Sequence, residues 1–134
     1  MSVVIDTSVW SQFFRRKDPE DPRAVQMVAD LILRREAVLV GIVKQELLSG
    51  IKEPERFKKL LFALSDFDPL LASDEDHVLA GRYFSKCRSE GVQGSFSDFL
   101  ICAQASNNRM SILSSDGDFI YYSKHIPIVL MARK

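Results

Sequence analysis

Four acidic residues in this 134-residue chain stand where chemistry would be expected: Asp6, Glu46, Asp98 and Asp116. Asp6 ends the apolar run Val3-Val4-Ile5 and is followed by two hydroxyls, Thr7 and Ser8. Asp116 follows Ile112-Leu113-Ser114-Ser115 and is trailed by Gly117 and a second acid, Asp118. Glu46 lies about a helical turn after a second apolar run, Val38–Val40. Asp98 shares a helical face with Ile101, Cys102 and Ala105, so its carboxylate points toward a core, where it costs several kcal/mol unless paired or bound to a cation. Taken singly, each acid has an ordinary explanation: an Asx turn for Asp6, a solvated helix acid for Glu46, a dipole-favouring first turn for Asp98, a plain turn for Asp116. Together they would repel, and each would hold its proton more tightly unless a cation neutralised the group. All-oxygen ligands suit hard divalent ions such as Mg²⁺ or Mn²⁺. Such ions activate water and stabilise charge on a phosphoryl group, which is the logic of a metal-dependent nuclease.

The elements that must position these acids follow from hydrophobic periodicity. Val3–Ile5 reads as a buried strand, with Thr7 or Ser8 capping a helix from about Ser8 to Arg16. Loop residues 18–22 precede a helix from about Arg23 to Glu36, and Val38–Val40 is the second strand. Helices follow over Ile42–Gly50 and Pro54–Leu64, with Gly50 as a C-terminal stop. Phe67–Leu70 is a short strand weakened by Pro69. Ser73 and Asp76 form a capping box for a helix to about Glu90, broken by Gly91-Val92-Gln93-Gly94. Ser97 caps a helix to about Asn107. Ser111–Leu113 is a strand, Phe119–Lys124 a short helix, and Ile126–Leu130 a last strand at a sheet edge. Alternating strands and helices predict an α/β fold: a three-layer α/β/α sandwich with a mostly parallel central sheet, in one domain over residues 1–134. Open parallel sheets bind ligands beyond the carboxyl ends of their strands, and all four acids fall at that end.

Composition narrows the classes. Lys plus Arg and Asp plus Glu both number 18, which excludes a globally basic nucleic-acid binder but not a local basic patch. No apolar stretch approaches the length of a membrane span, and the N-terminal residues do not read as a secretory signal. Cys87 and Cys102 lie in apolar helical patterns and read as buried thiols, as expected in the cytoplasm.

Four segments resemble, in order, the motifs of the PIN-domain family and, within it, the VapC-type toxin ribonucleases. They are Val3–Trp10, Val43–Gly50, Ser97–Ala105 and Ile112–Phe119, and the similarity spans nearly the whole chain. Each is degenerate alone; four in order with similar spacing are specific. The resemblance implies that Asp6, Glu46, Asp98 and Asp116 form a catalytic, metal-holding cluster. Asp118 is an alternative fourth acid, and Thr7 or Ser8 would support Asp6 or the attacking water. Ser114 stands where the family usually has Thr. The resemblance further implies an Mg²⁺- or Mn²⁺-dependent endoribonuclease held silent by a cognate antitoxin, a homodimer, and a groove for the antitoxin's amphipathic segment.

An RNA substrate needs cations for its phosphates. Arg15 and Arg16, at the end of a helix that begins beside Asp6, are the first candidates; Lys17, Arg82, Lys86, Arg88 and Arg109 read singly as solvated surface. His77 and His125 fit no triad or zinc spacing, and Gly91–Gly94 is too short for a phosphate loop. Two rival readings stay open: a PIN-type nuclease of RNA processing or quality control, and a non-enzymatic, receiver-like domain whose acids bind a structural ion. Lys124 is available for the latter, but it gives the Asp98 helix no role.

Overall fold

The computed structural model describes residues 1–15 and 17–132. Its sheet has three parallel strands: β1 (Val3–Ile5), β2 (Ala37–Val38) and β3 (Ser111–Leu113), in the order β2-β1-β3. Val3 pairs with Ala37 on one side and Ser111 on the other, so the earliest strand lies at the centre. All three β1 residues are buried although successive side chains face opposite ways, so both faces of the sheet are covered. Helix α2 (Pro22–Leu33) packs on β2, while α6 (Phe96–Asn107) packs on β1 and β3. The expected α/β architecture with a parallel open sheet is therefore present.

Among the described residues, the sheet continues beyond the named strands only as single bridges, Val40 to Leu70 and Ile112 to Leu130. The expected strands Phe67–Leu70 and Ile126–Leu130 shrink to these points, and β2 ends two residues before Val40. Pro69 and Pro127 lack the N–H that a longer ladder needs. Leu70 donates its N–H to Leu39 O at 2.8 Å, and its carbonyl accepts from Gly41 N at 2.9 Å and from the buried Gln104 Nε2 at 3.1 Å.

The remaining helices are α1 (Thr7–Arg15), α3 (Gly41–Leu48), α4 (Pro54–Leu64), α5 (Asp74–Ser89) and α7 (Asp118–Ser123). The predicted end of α1 at Arg16 lies outside the described residues. Helix α2 stops at Leu33, and Arg35 turns the chain at φ 58°. The Ser73–Asp76 capping box is present with both reciprocal hydrogen bonds. Thr7 and Ser8 sit inside the first turn of α1, with Asp6 just before it; the Asp6 carbonyl accepts from Val9 and Trp10. Helix α6 starts earlier than expected. Its cap is Ser95, whose Oγ accepts from Asp98 N at 3.0 Å, which releases Ser97 for another task. The core centres on β1, Trp10, Phe99, Ile101, Ile112, Leu113, Phe119 and Tyr122. Both cysteines are free and buried.

Candidate active site

The site begins where β1 and β3 end. Asp6 N donates to Leu113 O at 3.0 Å, which keeps the two strands level at their carboxyl ends and lets their next residues emerge together. Asp6 is 4% exposed. Both its carboxylate oxygens are held by hydroxyls: Ser8 Oγ donates to Oδ1 at 2.6 Å and Ser114 Oγ to Oδ2 at 2.7 Å. Ser8 Oγ in turn accepts from Ser115 N at 3.0 Å, so α1 and the post-β3 loop are tied on both sides of Asp6.

Burial pushes the Asp6 carboxyl up to about 6, and the nearby Asp116 charge adds to this. The Ser8 and Ser114 hydroxyls and the Val9 amide oppose it. Asp98, half-buried in the first turn of α6, is also raised by burial, with Asp116 and Glu46 pushing the same way. Its counterweight is Tyr122, whose hydroxyl donates to Asp98 Oδ2 at 2.7 Å, assisted by Ser95. Glu46, on the second turn of α3, accepts from Thr7 Oγ1 at 2.7 Å and from Ser97 Oγ at 3.1 Å. Asp116 Oδ1 caps the Asp118 amide at 2.9 Å, fixing the turn that carries both acids.

The four expected acids thus face one another electrostatically, Asp6 and Asp98 both feeling Asp116, and Asp98 feeling Glu46. The tightest set is narrower and includes the alternative acid. Asp98, Asp116 and Asp118 each offer a carboxylate oxygen, and these oxygens lie within 4.8 Å of one another. That span approaches the separation of opposite ligands around a hard divalent ion bound at roughly 2.0–2.6 Å. Donor type and spacing therefore fit a cation such as Mg²⁺ or Mn²⁺. The Asp-Gly-Asp turn brings both Asp116 and Asp118 to Asp98. Asp6 and Glu46 lie outside this set, coupled to it through the Asp116 and Asp98 charges.

Of the two hydroxyls offered as supports of Asp6, Ser8 takes that place and Thr7 does not. Ser8 and Ser114 hold Asp6, whereas Thr7 holds Glu46. Arg15 is not brought to the acids. It ends α1, roughly 12 Å along the helix axis from Thr7, and lines a groove against α4 with Arg56 and Lys59. Arg16 lies outside the described residues.

Three contributors escape the sequence reading. Tyr122 looks like a core aromatic in the i, i+3 pair with Phe119, and only its hydroxyl reveals the link to Asp98. Ser97 looks like a cap. Gly94 looks like a helix breaker, yet a Cβ there would lie 2.5 Å from Tyr122 Oη and 2.7 Å from Phe99 Cε2. Only a glycine lets the chain cross directly over the Tyr122–Asp98 bond. The nearby Cys102 thiol is pushed up by burial and by the Asp98 and Asp6 charges, which keeps it protonated and inert.

The architecture has close counterparts among solved structures. DNA-bound VapBC from Salmonella typhimurium superimposes with a TM-score of 0.77 at 17% identity, covering 98% of this chain and 97% of that one. FitAcB from Neisseria gonorrhoeae gives 0.76 at 19% identity, covering 97% and 96%. VapBC-5 from Mycobacterium tuberculosis, described as a member of the VapBC family of toxin-antitoxin systems, gives 0.68 at 16% identity, covering 97% and 98%. At these identities the likeness concerns the fold. No curated protein sequence matches the chain. The family model of the PIN domain matches residues 3–124, a span containing all five acids and every hydroxyl that holds them. The chain therefore belongs to the PIN domain family.

Proposed function

We propose that the protein is a Mg²⁺- or Mn²⁺-dependent endoribonuclease, the toxin of a toxin–antitoxin pair, acting in the cytoplasm as one domain over residues 1–134. The observation that carries this reading is the Asp98–Asp116–Asp118 set, backed by a buried Asp6 whose proton affinity is raised. When bound, the divalent ion supplies a Lewis acid for the phosphoryl oxygens and lowers the pKa of a water. Asp98, Asp116 and Asp118 would hold it. Asp6, fixed at both oxygens, contributes negative charge from behind. Glu46, fixed by Thr7 and Ser97, bounds the other side and orients the attacking water. Tyr122 keeps Asp98 ionised and in one rotamer. In-line hydrolysis leaves 3′-hydroxyl and 5′-phosphate ends. Arg15 and Arg16 would contact phosphates outward from the acids.

The partners follow the same reading. The groove between α1 and α4 has an apolar floor of Phe14, Leu47, Ile51 and Leu60, with Arg15, Arg56 and Lys59 around it. It suits an amphipathic, acidic segment of an antitoxin. A homodimer is proposed on the resemblance alone. Among the described residues no helix is long and apolar enough to cross a membrane.

The test is induced expression of wild type and Asp98→Asn, followed by sequencing of newly formed RNA 5′ ends. New ends at a restricted set of sites should appear with wild type only, while Asp98→Asn stays folded and melts no lower in metal-free buffer. Cleavage that leaves 2′,3′-cyclic phosphates, or equal cleavage by the variant, would overturn the mechanism.

A further inference from the structure

A closed ring of hydrogen bonds passes through Ser8, the neighbour that holds Asp6. Ser8 Oγ donates to Asp6 and accepts from Ser115 N at 3.0 Å. The Ser115 hydroxyl donates to Asp21 Oδ2 at 2.8 Å. Asp21 N donates to Gln12 Oε1 at 2.8 Å, and Gln12 Nε2 donates to Ser8 O at 3.0 Å, which completes the circuit. The ring ties together α1, the residue that begins α2, and the turn after β3 that leads into Asp116 and Asp118.

Helix capping explains only part of Asp21. Its Oδ1 caps α2 by accepting from Ala24 N at 3.2 Å. One oxygen suffices for that, and a serine caps a helix as well as an aspartate does. The second oxygen goes to Ser115. Gln12 is 5% exposed, and burying its amide is costly unless both ends are bonded, as they are here. An apolar residue would pack there without that cost, so the amide is explained by its link to the Asp21 backbone. Away from α1 and α2 the turn borders open space. Ser114, Ser115, Asp116 and Gly117 line a hollow of about 240 Å³, and a Cβ on Gly117 would have no neighbour within 4 Å among the described residues. Close packing does not fix the turn on that flank, so hydrogen bonds must.

We infer that Asp21 is a positioning residue for the acidic site: through the Ser115 hydroxyl it fixes the turn that presents Asp116 and Asp118 to Asp98. The inference rests on the metal-dependent reading above and deepens it. Carboxylates that must first be gathered repel one another, and that cost is subtracted from the affinity for an ion. A turn held in place beforehand has already met the cost in folding.

The test measures Mn²⁺ binding by titration calorimetry, with the metal alone as the probe, in wild type, Ser115→Ala, Asp21→Ser and the double variant. Ser115→Ala removes the donor. Asp21→Ser keeps a cap for α2 but is one bond shorter, so the Ser115 hydroxyl loses its acceptor. Each single variant should stay folded in EDTA and bind Mn²⁺ roughly 10-fold more weakly, the lower end of what groups that orient metal ligands contribute. The double variant should bind no more weakly than the worse single, because both changes remove one link. On an RNA that the wild type cuts, kcat at low Mn²⁺ should fall while KM for the RNA holds, and excess Mn²⁺ should recover kcat. Unchanged Mn²⁺ affinity in both single variants overturns the assignment and leaves the metal site intact. Losses that multiply in the double variant overturn it as well. So does a lowered Tm at unchanged Mn²⁺ affinity, which would make the ring purely structural. A wild type that binds no Mn²⁺ removes the metal reading and this role with it. A wild type that binds Mn²⁺ but cuts no RNA fails the ribonuclease reading alone, since the binding measurements decide this one.

Discussion

Asp98 is poised by a single phenol. Its carboxylate is raised by burial and by two neighbouring acids, and the Tyr122 hydroxyl opposes that rise. A hydrogen bond to a charged group is worth about 1.5–3 kcal/mol, enough to move a pKa by a unit or more. Tyr122→Phe keeps the buried ring and removes only that donor. The acidic limb of the activity profile should then shift upward, with Tm nearly unchanged. A pH–rate series on the two proteins checks this, and an unmoved limb would show that Tyr122 is purely structural. The acids themselves were legible in the sequence only as a group at one predicted sheet edge, since each alone has an ordinary explanation. Tyr122 was not, since a tyrosine on an apolar face is ordinary until the partner of its hydroxyl is known. That partner lies 24 residues away and is brought there only by the packing of α7 against α6.

At the level of elements, the helices were legible almost throughout, because periodicity, Pro22, Pro54 and the Ser73–Asp76 box mark their faces and starts locally. The sheet was less so. A one-residue bridge such as Val40–Leu70 rests on two backbone hydrogen bonds between segments 30 residues apart, which no local pattern announces. The start of α6 was misplaced by two residues because Ser95 and Ser97 are equivalent as caps in sequence. Glu46 breaks the tie by taking the Ser97 hydroxyl. The glycines Gly81 and Gly94 separate two roles in the same way. Gly81→Ala gains helix propensity in open space and should raise stability by up to about 1 kcal/mol. Gly94→Ala drives a methyl into Tyr122 and Phe99 and should cost about 1–3 kcal/mol, as overpacking does. Thermal melts of the two variants should move in opposite directions. If Gly94→Ala is neutral, the close crossing over Tyr122 is not a constraint.

For the molecule as a whole, the gathered acids make stability depend on pH, and the proposed metal site predicts a dependence on divalent ions as well. Asp6 rises from 3.8 to about 6 on folding, so the folded state binds its proton more tightly than the unfolded chain. Without a cation, the Asp6 contribution therefore favours folding at low pH. It is lost as pH climbs from about 4 through 6, by about 3 kcal/mol in all. Asp98 acts in the same direction. Asp6→Asn should flatten this loss, so the stability gap between variant and wild type in EDTA should widen toward neutral pH. Mn²⁺ should raise Tm more at pH 7 than at pH 5, since ligand acids must be ionised to bind it. Chemical denaturation in EDTA at several pH values measures the gap, and melts with and without Mn²⁺ measure the second effect. A gap that does not change with pH would contradict the Asp6 assignment.

The Ser114–Asp6 bond joins residues 108 positions apart, across a sheet whose first-made strand is its centre. A ribosome making this chain releases Asp6 long before Ser114, Asp116 or Asp118 exists. The nascent polypeptide thus cannot bring its acids together until translation has passed the third strand.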